Sequence, residues 1–394
     1  MIFKNTKFQV LLFSEMVSLI GDRILAVALV ILVYDITGSA ATVSILMMLK
    51  AIPSLFLGSV AGAMVDRLNR KWVMVFSNLT QGALVLIIPF TNELLVIYGV
   101  YFLLSVVNQF FIPARAATLP SIVPEKSLMA ANSLFSMAFV GAIALGPMIA
   151  GILIEAYGTS AAFFADSFTF LVPAVAVAFL ALPQKSNPPQ QSRFVDELRA
   201  GFSYISQNPT IRAALFLSGL VYMGIGAVSV LGIVIADKVL GVGAGGYGMM
   251  MSSMGVGMLV GAIAAGKWGR QFDKIQLASA GATMAGAAIA ILPFATSLYF
   301  AFALNLVLGA GMVFVQTSAN TLFQTSPEEL RGRVMGVAQS LMGAASFLAM
   351  GFAGFVAEWI GFAPVLALVG GASVVAGGFF FAAGLSGRQA TREK

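Results

Sequence analysis

The sequence predicts an all-α integral membrane protein of twelve transmembrane helices in two pseudo-symmetric six-helix bundles. Three observations carry that prediction. Of the 394 residues 59% are hydrophobic and 10% charged, with a mean hydropathy of +0.95, and apolar runs of about twenty residues, enough to cross a bilayer as helix, recur from end to end. These runs lack the period-two alternation of a barrel wall, and lipid offers the backbone no hydrogen-bond partner, so the spans are helices. Finally, GSVAGAMVDRLNRK at 58–71 lies over GAIAAGKWGRQFDK at 261–274, and the same displacement of 203 residues brings Thr118, Leu119 and Pro124 onto Thr321, Leu322 and Pro327, and Gly151 onto Gly354. Such a repeat implies duplication, with the halves free to rock against one another.

In chain order the spans fall near 8–34, 41–65, 72–90, 94–113, 128–155 and 161–182, then 212–236, 247–266, 275–293, 297–318, 334–357 and 362–385. The first follows Lys4 and Lys7 but is interrupted by Glu15, Asp22 and Arg23, so it reads as a transmembrane helix and not as a secretory signal. Twelve spans put both termini on one side. That side then holds every one of the 22 Lys and Arg except Arg23, Lys50 and Lys238, which makes it the cytoplasm by the positive-inside rule and places the chain in the plasma or inner membrane. The net charge of +6 is accounted for by topology, and no basic domain is left to bind nucleic acid. Between the bundles (1–183 and 212–394) lies a polar linker, 184–211. Its Phe194, Leu198, Phe202 and Ile205 fall at helical spacing, predicting an amphipathic helix on the cytoplasmic membrane surface.

The absence of Cys and His removes disulfides, thiolate or imidazole metal sites and histidine acid–base chemistry. Proton chemistry is left to carboxylates and Lys. The informative residues are charges inside the spans, since each costs at least ~2.5 kcal/mol at mid-membrane unless it meets a partner or a wet cavity. They are Glu15, Asp22 and Arg23 on the first helix, Lys50 on the second and Asp166 on the sixth. Glu15, Ser18 and Asp22 are spaced i, i+3, i+7, one polar stripe expected to face a central cavity. Asp22 has three readings: a brace permanently paired with Lys50 or Arg23, a proton carrier whose partner swings away, or a direct substrate contact. Glu15 is a candidate proton relay or cation attractor. Asp166, near the outer end of its helix, is either a further proton site or a carboxylate reaching outer-face water.

Other polar side chains could line a path: Asn108, Gln109 and Arg115 around the fourth span, and Asn305, Gln316 and Asn320 around the tenth. Interhelical hydrogen bonding explains them equally well. The run MMMSSM at 249–254, with Met250 and Met254, suits varied apolar ligands and equally suits core filling. GAIAAGKW at 261–268 is one residue short of a phosphate-binding loop, has Trp268 where Ser or Thr would hold magnesium, and ends a helix instead of following a strand, so ATP is not expected to bind. No cofactor or metal is expected.

GAMVDRLNRK resembles the signature loop between helices 2 and 3 of the major facilitator superfamily, with Gly62, Asp66, Arg67, Arg70 and Lys71 matching and Asn69 where Gly is usual. Asn also enters the left-handed conformation that a tight turn wants. The resemblance implies a cytoplasmic clamp made by Asp66, Arg67 and Arg70. Asp66, at the C-terminal end of its helix, should take donors from Arg67 or from another helix's N-terminus, and Gly269 replaces it in the second copy, making the clamp asymmetric. YDITGSA (34–40), PARAATLPSIVPEKSLMAANSL (113–134), FFADSFTF (163–170) and RGRVMG (331–336) are similar to the drug:proton antiporter group that includes macrolide efflux proteins and the enterobactin exporter. GPMIAG (146–151) is similar to the helix-5 exporter motif, keeping Gly146, Pro147 and Gly151, with Ala150 replacing a Gly.

The resemblance implies a monomeric, proton-coupled exporter of lipophilic or amphipathic small molecules that uses neither ATP nor nucleic acid and is not an enzyme. A lipid or lysophospholipid translocator and a specific siderophore or metabolite exporter of the same fold share these motifs.

Overall fold

The computed structural model describes residues 5–180, 182, 194–269 and 271–392. They form thirteen long helices, twelve of them long and apolar enough to cross a membrane. In order these are α1 (Thr6–Thr37), α2 (Ala40–Val65), α3 (Arg70–Val85), α4 (Leu94–Ile122), α5 (Leu128–Tyr157), α6 (Thr159–Ala178), the non-spanning α7 (Phe194–Gln207), α8 (Pro209–Val234), α9 (Ala244–Trp268), α10 (Lys274–Ile291), α11 (Leu298–Gln324), α12 (Glu328–Ile360) and α13 (Phe362–Arg392).

Side chains start several of these helices by taking orphan backbone donors: Asn5 on α1, Asn69 on α3, Asn208 on α8, Asp273 on α10 and Ser297 on α11. Gly158 and Gly361, again 203 residues apart, turn α5 into α6 and α12 into α13 in a single residue at φ 82° and 87°, where only glycine is unstrained. Two helices outrun their expected spans. Residues 113–122 continue α4 through Pro113 and Pro120, and α12 begins at 328. Proline is tolerated inside a membrane helix because neighbouring groups satisfy the freed carbonyls.

The chain divides into two compact units. One comprises 1–38, 45–190 and 243–252; the other comprises 39–44, 191–242 and 253–394. In the first, α1 packs on α5 and α6, and α3 on α4 and α6; in the second, α8 packs on α12 and α13, and α10 on α11 and α13. The pairings correspond under the repeat. Each pair holds a close approach: a Cβ on Gly82 would lie 3.3 Å from the carbonyl of Ser167, and one on Gly286, one residue past the repeat position, would lie 2.6 Å from that of Gly370. In lipid, van der Waals contact between closely approaching backbones is what holds such helices together.

The linker helix α7 exists, but its observed contacts are with protein. Ile205 is buried with Ile211, Phe323, Val334 and Val337 in the core of the second unit, and a Cβ on Gly201 would lie 2.7 Å from the carbonyl of Arg333. Phe202, expected on the same apolar stripe, is exposed. The side chains of Phe194 and Leu198 lie outside the described residues.

Candidate functional site

The stripe on α1 is present. Glu15 and Ser18 are buried, and Glu15 accepts a hydrogen bond from Arg115 of α4 in an ion pair. The Arg115 guanidinium also lies over the Phe135 ring of α5 at 5.7 Å, and Phe135 stands edge-on to Phe8 at 6.0 Å. Arg115, a candidate path residue by sequence, is thus the partner that makes burial of Glu15 tolerable.

Seven residues on, about 10 Å along the helix, Asp22 opens onto a cavity of about 60 Å³ with Lys50 of α2, Gln81 of α3, and Tyr101, Ser105 and Asn108 of α4. Asp22 and Lys50 share this space without forming an ion pair with each other. Lys50 is exposed; its ammonium lies over the Tyr101 ring at 5.8 Å, and its backbone carbonyl accepts from the Ser105 hydroxyl. Arg23 has turned elsewhere: its guanidinium lies over Phe139 of α5 at 5.1 Å, and its stem occupies the notch left by Gly146, where a Cβ would stand 3.1 Å from Arg23 Cγ. Its Nε finds no hydrogen-bond partner among the described residues.

Asp166 is fully buried on α6, so the reading in which it reaches outer water does not match its position. One carboxylate oxygen takes the Thr169 hydroxyl at 3.2 Å and abuts Gly21 of α1, where the missing side chain makes room; the other has no partner among the described residues. Gln109, also buried, spends its amide on the Ser105 carbonyl of its own helix at 3.2 Å.

In the loop after α2, Asp66 pairs with Arg70 at 3.7 Å, and Arg70 is tied to the Ala117 carbonyl of α4 at 3.1 Å. Arg67 is exposed, and Lys71 lies over the Trp72 ring at 5.5 Å. Asn69 does not adopt the left-handed conformation: at φ −74° and ψ 105° it is extended, and its side chain caps α3 by accepting from the backbone of Lys71 and Trp72. A Cβ on Gly62 would meet nothing within 4 Å; its carbonyl accepts the Asp66 amide at 3.1 Å. In the helix-5 motif, the Pro147 and Gly151 backbones both abut the start of α9, a Cβ on Gly151 lying 2.7 Å from the Ala244 carbonyl. The equivalent Arg270 lies outside the described residues.

In the second unit Asn305 and Gln316 donate to near neighbours, although Asn305 Oδ1 finds no hydrogen-bond partner among the described residues. Asn305 is fully buried and donates to Ala301 of its own helix at 3.0 Å, while Gln316 donates to the Tyr222 hydroxyl at 3.2 Å. Asn320 and Met254 are half-buried; Met250, on the part of α9 that belongs to the first unit, is buried. At the repeat displacement these five charges have no charged counterparts: Ser218 stands for Glu15, Ile225 for Asp22, Ser253 for Lys50, Ser318 for Arg115 and Val369 for Asp166. Gly21 abuts Asp166, whereas its counterpart Gly224 abuts Ile289, with Val369 3.8 Å from where its Cβ would stand.

The sequence profile of the Major Facilitator Superfamily matches residues 11–349 and 214–393. The chain belongs to that superfamily. It is 30% identical to the MFS-type transporter YfiS of Bacillus subtilis (strain 168), over 91% of this chain and 89% of that one. It is 28% identical to macrolide efflux protein A of Streptococcus pyogenes over 90% of each, and 27% identical to the enterobactin exporter EntS of Escherichia coli over 85% and 82%. Among solved structures, the nucleoside transporter NupG superposes with a TM-score of 0.73 at 13% identity, covering 96% of this chain and 98% of that one, a likeness of fold alone.

The chain is thus a multi-pass membrane transporter whose relatives include efflux proteins. Gln81, Tyr101 and Ser105 are the polar cavity residues of this superfamily member that sequence reasoning did not single out. A signal was there: Tyr101, Ser105 and Asn108 fall at i, i+4, i+7, the same stripe rule that found Glu15 and Asp22.

Proposed function

We propose that this transporter exports lipophilic or amphipathic small molecules in exchange for protons, by alternating access between the halves 1–183 and 212–394 joined by the linker 184–211. It acts as a monomer in the plasma or inner membrane, with both termini cytoplasmic. Asp22 is the proton carrier. The observation that carries this reading is the cavity shared by Asp22 and Lys50, in which the two opposite charges face each other unpaired while Arg23 is engaged on another helix. A permanent brace would close that pair. The volume, about 60 Å³, suits water and a proton but not a drug-sized molecule, whose pockets run to about 300 Å³ or more. That favours a coupling role for Asp22 over direct substrate contact. Asp166, against Gly21, and Glu15, two turns earlier on α1, extend the carboxylate series, and the macrolide efflux and enterobactin exporter relatives support export as the direction.

The test is export of a fluorescent lipophilic cation from cells lacking their main efflux pumps, by wild type and Asp22→Asn, with and without a protonophore. Wild-type export that stops with the protonophore and in the variant, at equal expression, is the expected result. Normal export by Asp22→Asn would make Asp22 a brace, and no dye movement by wild type would turn the reading toward lipid translocation.

A further inference from the structure

The last turns of α5 and α12 carry one device twice. Glu155 and Glu358 are separated by the repeat displacement of 203 residues, and each stands near the end of its helix. Glu155 lays a carboxylate oxygen against the Cα of Gly245, in the first turn of α9; any side chain there would collide with it. Glu358 accepts a hydrogen bond from the hydroxyl of Ser39, the residue before α2. Four residues before each glutamate, a glycine lets the same two helix starts approach to backbone contact. A Cβ on Gly151 would lie 2.7 Å from the Ala244 carbonyl oxygen, and one on Gly354 would lie 2.6 Å from the Ala40 carbonyl carbon. Further along each incoming helix a serine hydroxyl accepts a backbone N–H, Ser44 from Gly354 at 3.0 Å and Ser252 from Met148 at 2.8 Å.

These fastened stretches are the ones the compact units exchange: 39–44 packs with the second unit and 243–252 with the first, while the remainder of α2 and α9 stays with the opposite unit. Each of these helices is one continuous rod with its first turns in one unit and its body in the other. If the units rearrange, the first turns must let go or the helix must bend. Helix starts present unpaired N–H groups and a partial positive charge, so a carboxylate at that end attracts them. Such contacts are individually weak and can be broken and remade.

We infer that Glu155 and Glu358 are a matched pair of latches holding the first turns of α9 and α2, and that both release in each transport cycle. The second clause rests on the alternating-access reading; the first does not.

Two measurements on the full chain separate them. Hydrogen exchange reports local opening: Glu155→Ala should speed exchange of the amides of 244–252 severalfold and leave 40–44 unchanged, Glu358→Ala should do the reverse, and the corresponding Gln variants should restore most of the protection. Unchanged exchange in both Ala variants overturns the latches whether or not a substrate is known. The chain has no Cys, so the pairs Glu155→Cys with Gly245→Cys and Ser39→Cys with Glu358→Cys can be introduced directly. Transport by each reduced pair sets its own baseline, and should stop on oxidation and return to that baseline with reductant. A fully cross-linked pair that still transports overturns release, and wild type that moves no dye defeats the exporter reading while hydrogen exchange still decides the latches.

Discussion

Arg115 on α4 closes an ion pair with Glu15 on α1 and covers the Phe135 ring on α5, so one guanidinium ties three helices. Removing one partner of a buried pair strands the other and costs about 3–5 kcal/mol; because the Arg115 side chain remains 30% exposed, about 2 kcal/mol is expected here after allowing for solvent screening. Arg115→Ala should therefore lower the thermal midpoint in detergent markedly. Adding Glu15→Gln should recover part of the loss, and strictly additive effects would show that the pair is not coupled.

Gly21 and Gly62 separate packing from motif. A methyl on Gly21 would collide with Thr169 and with the Asp166 carboxylate, whereas one on Gly62 meets nothing within 4 Å. Gly21→Ala should destabilise by about 1–3 kcal/mol through overpacking, and Gly62→Ala should be neutral or stabilising by about 0.5–1 kcal/mol through helix propensity. Denaturation midpoints of the two variants in one detergent check the contrast.

The extended backbone of Asn69 makes its side chain a cap and not a turn-former. Asn69→Ala should cost about 1 kcal/mol and Asn69→Gly only a few tenths. A stabilising Gly would point to a left-handed residue instead.

Asn108 and Asn305 test where the working interior lies. Asn108 lines the cavity of Asp22 and Lys50, while Asn305 spends its amide on its own helix. Asn108→Leu, which fills and dries that cavity, should cut protonophore-sensitive export by about tenfold or more, a barrier change of roughly 1.4 kcal/mol. Asn305→Ala should leave export nearly unchanged at equal expression. Equal losses would move the coupling site out of the cavity.

The helices were legible because hydropathy depends on composition over twenty residues, and the duplication because Gly58, Gly151 and their partners sit at one displacement. Helix ends were less so. Pro113 reads as a stop in soluble proteins, yet α4 runs on to Ile122. Charges inside spans identified Glu15, Asp22, Lys50 and Asp166 as residues needing an explanation. Their partners were not readable: Arg115 lies a hundred residues from Glu15, and adjacency of Asp22 and Arg23 says nothing of rotamers that send one to a cavity and the other to Phe139. Asn69 was misjudged because a turn position and a cap position favour the same residue types.

The uneven placement of charge between the two copies also decides how the molecule answers to voltage. Glu15, Asp22, Lys50, Arg115 and Asp166 correspond to Ser218, Ile225, Ser253, Ser318 and Val369 in the second copy. A membrane voltage does work only on charge that moves through it, about 2.3 kcal/mol per elementary charge per 100 mV. These five charges, and Arg23 with Gly226 at its repeat position, lie in one half of the chain, so a voltage acting on them acts on that half.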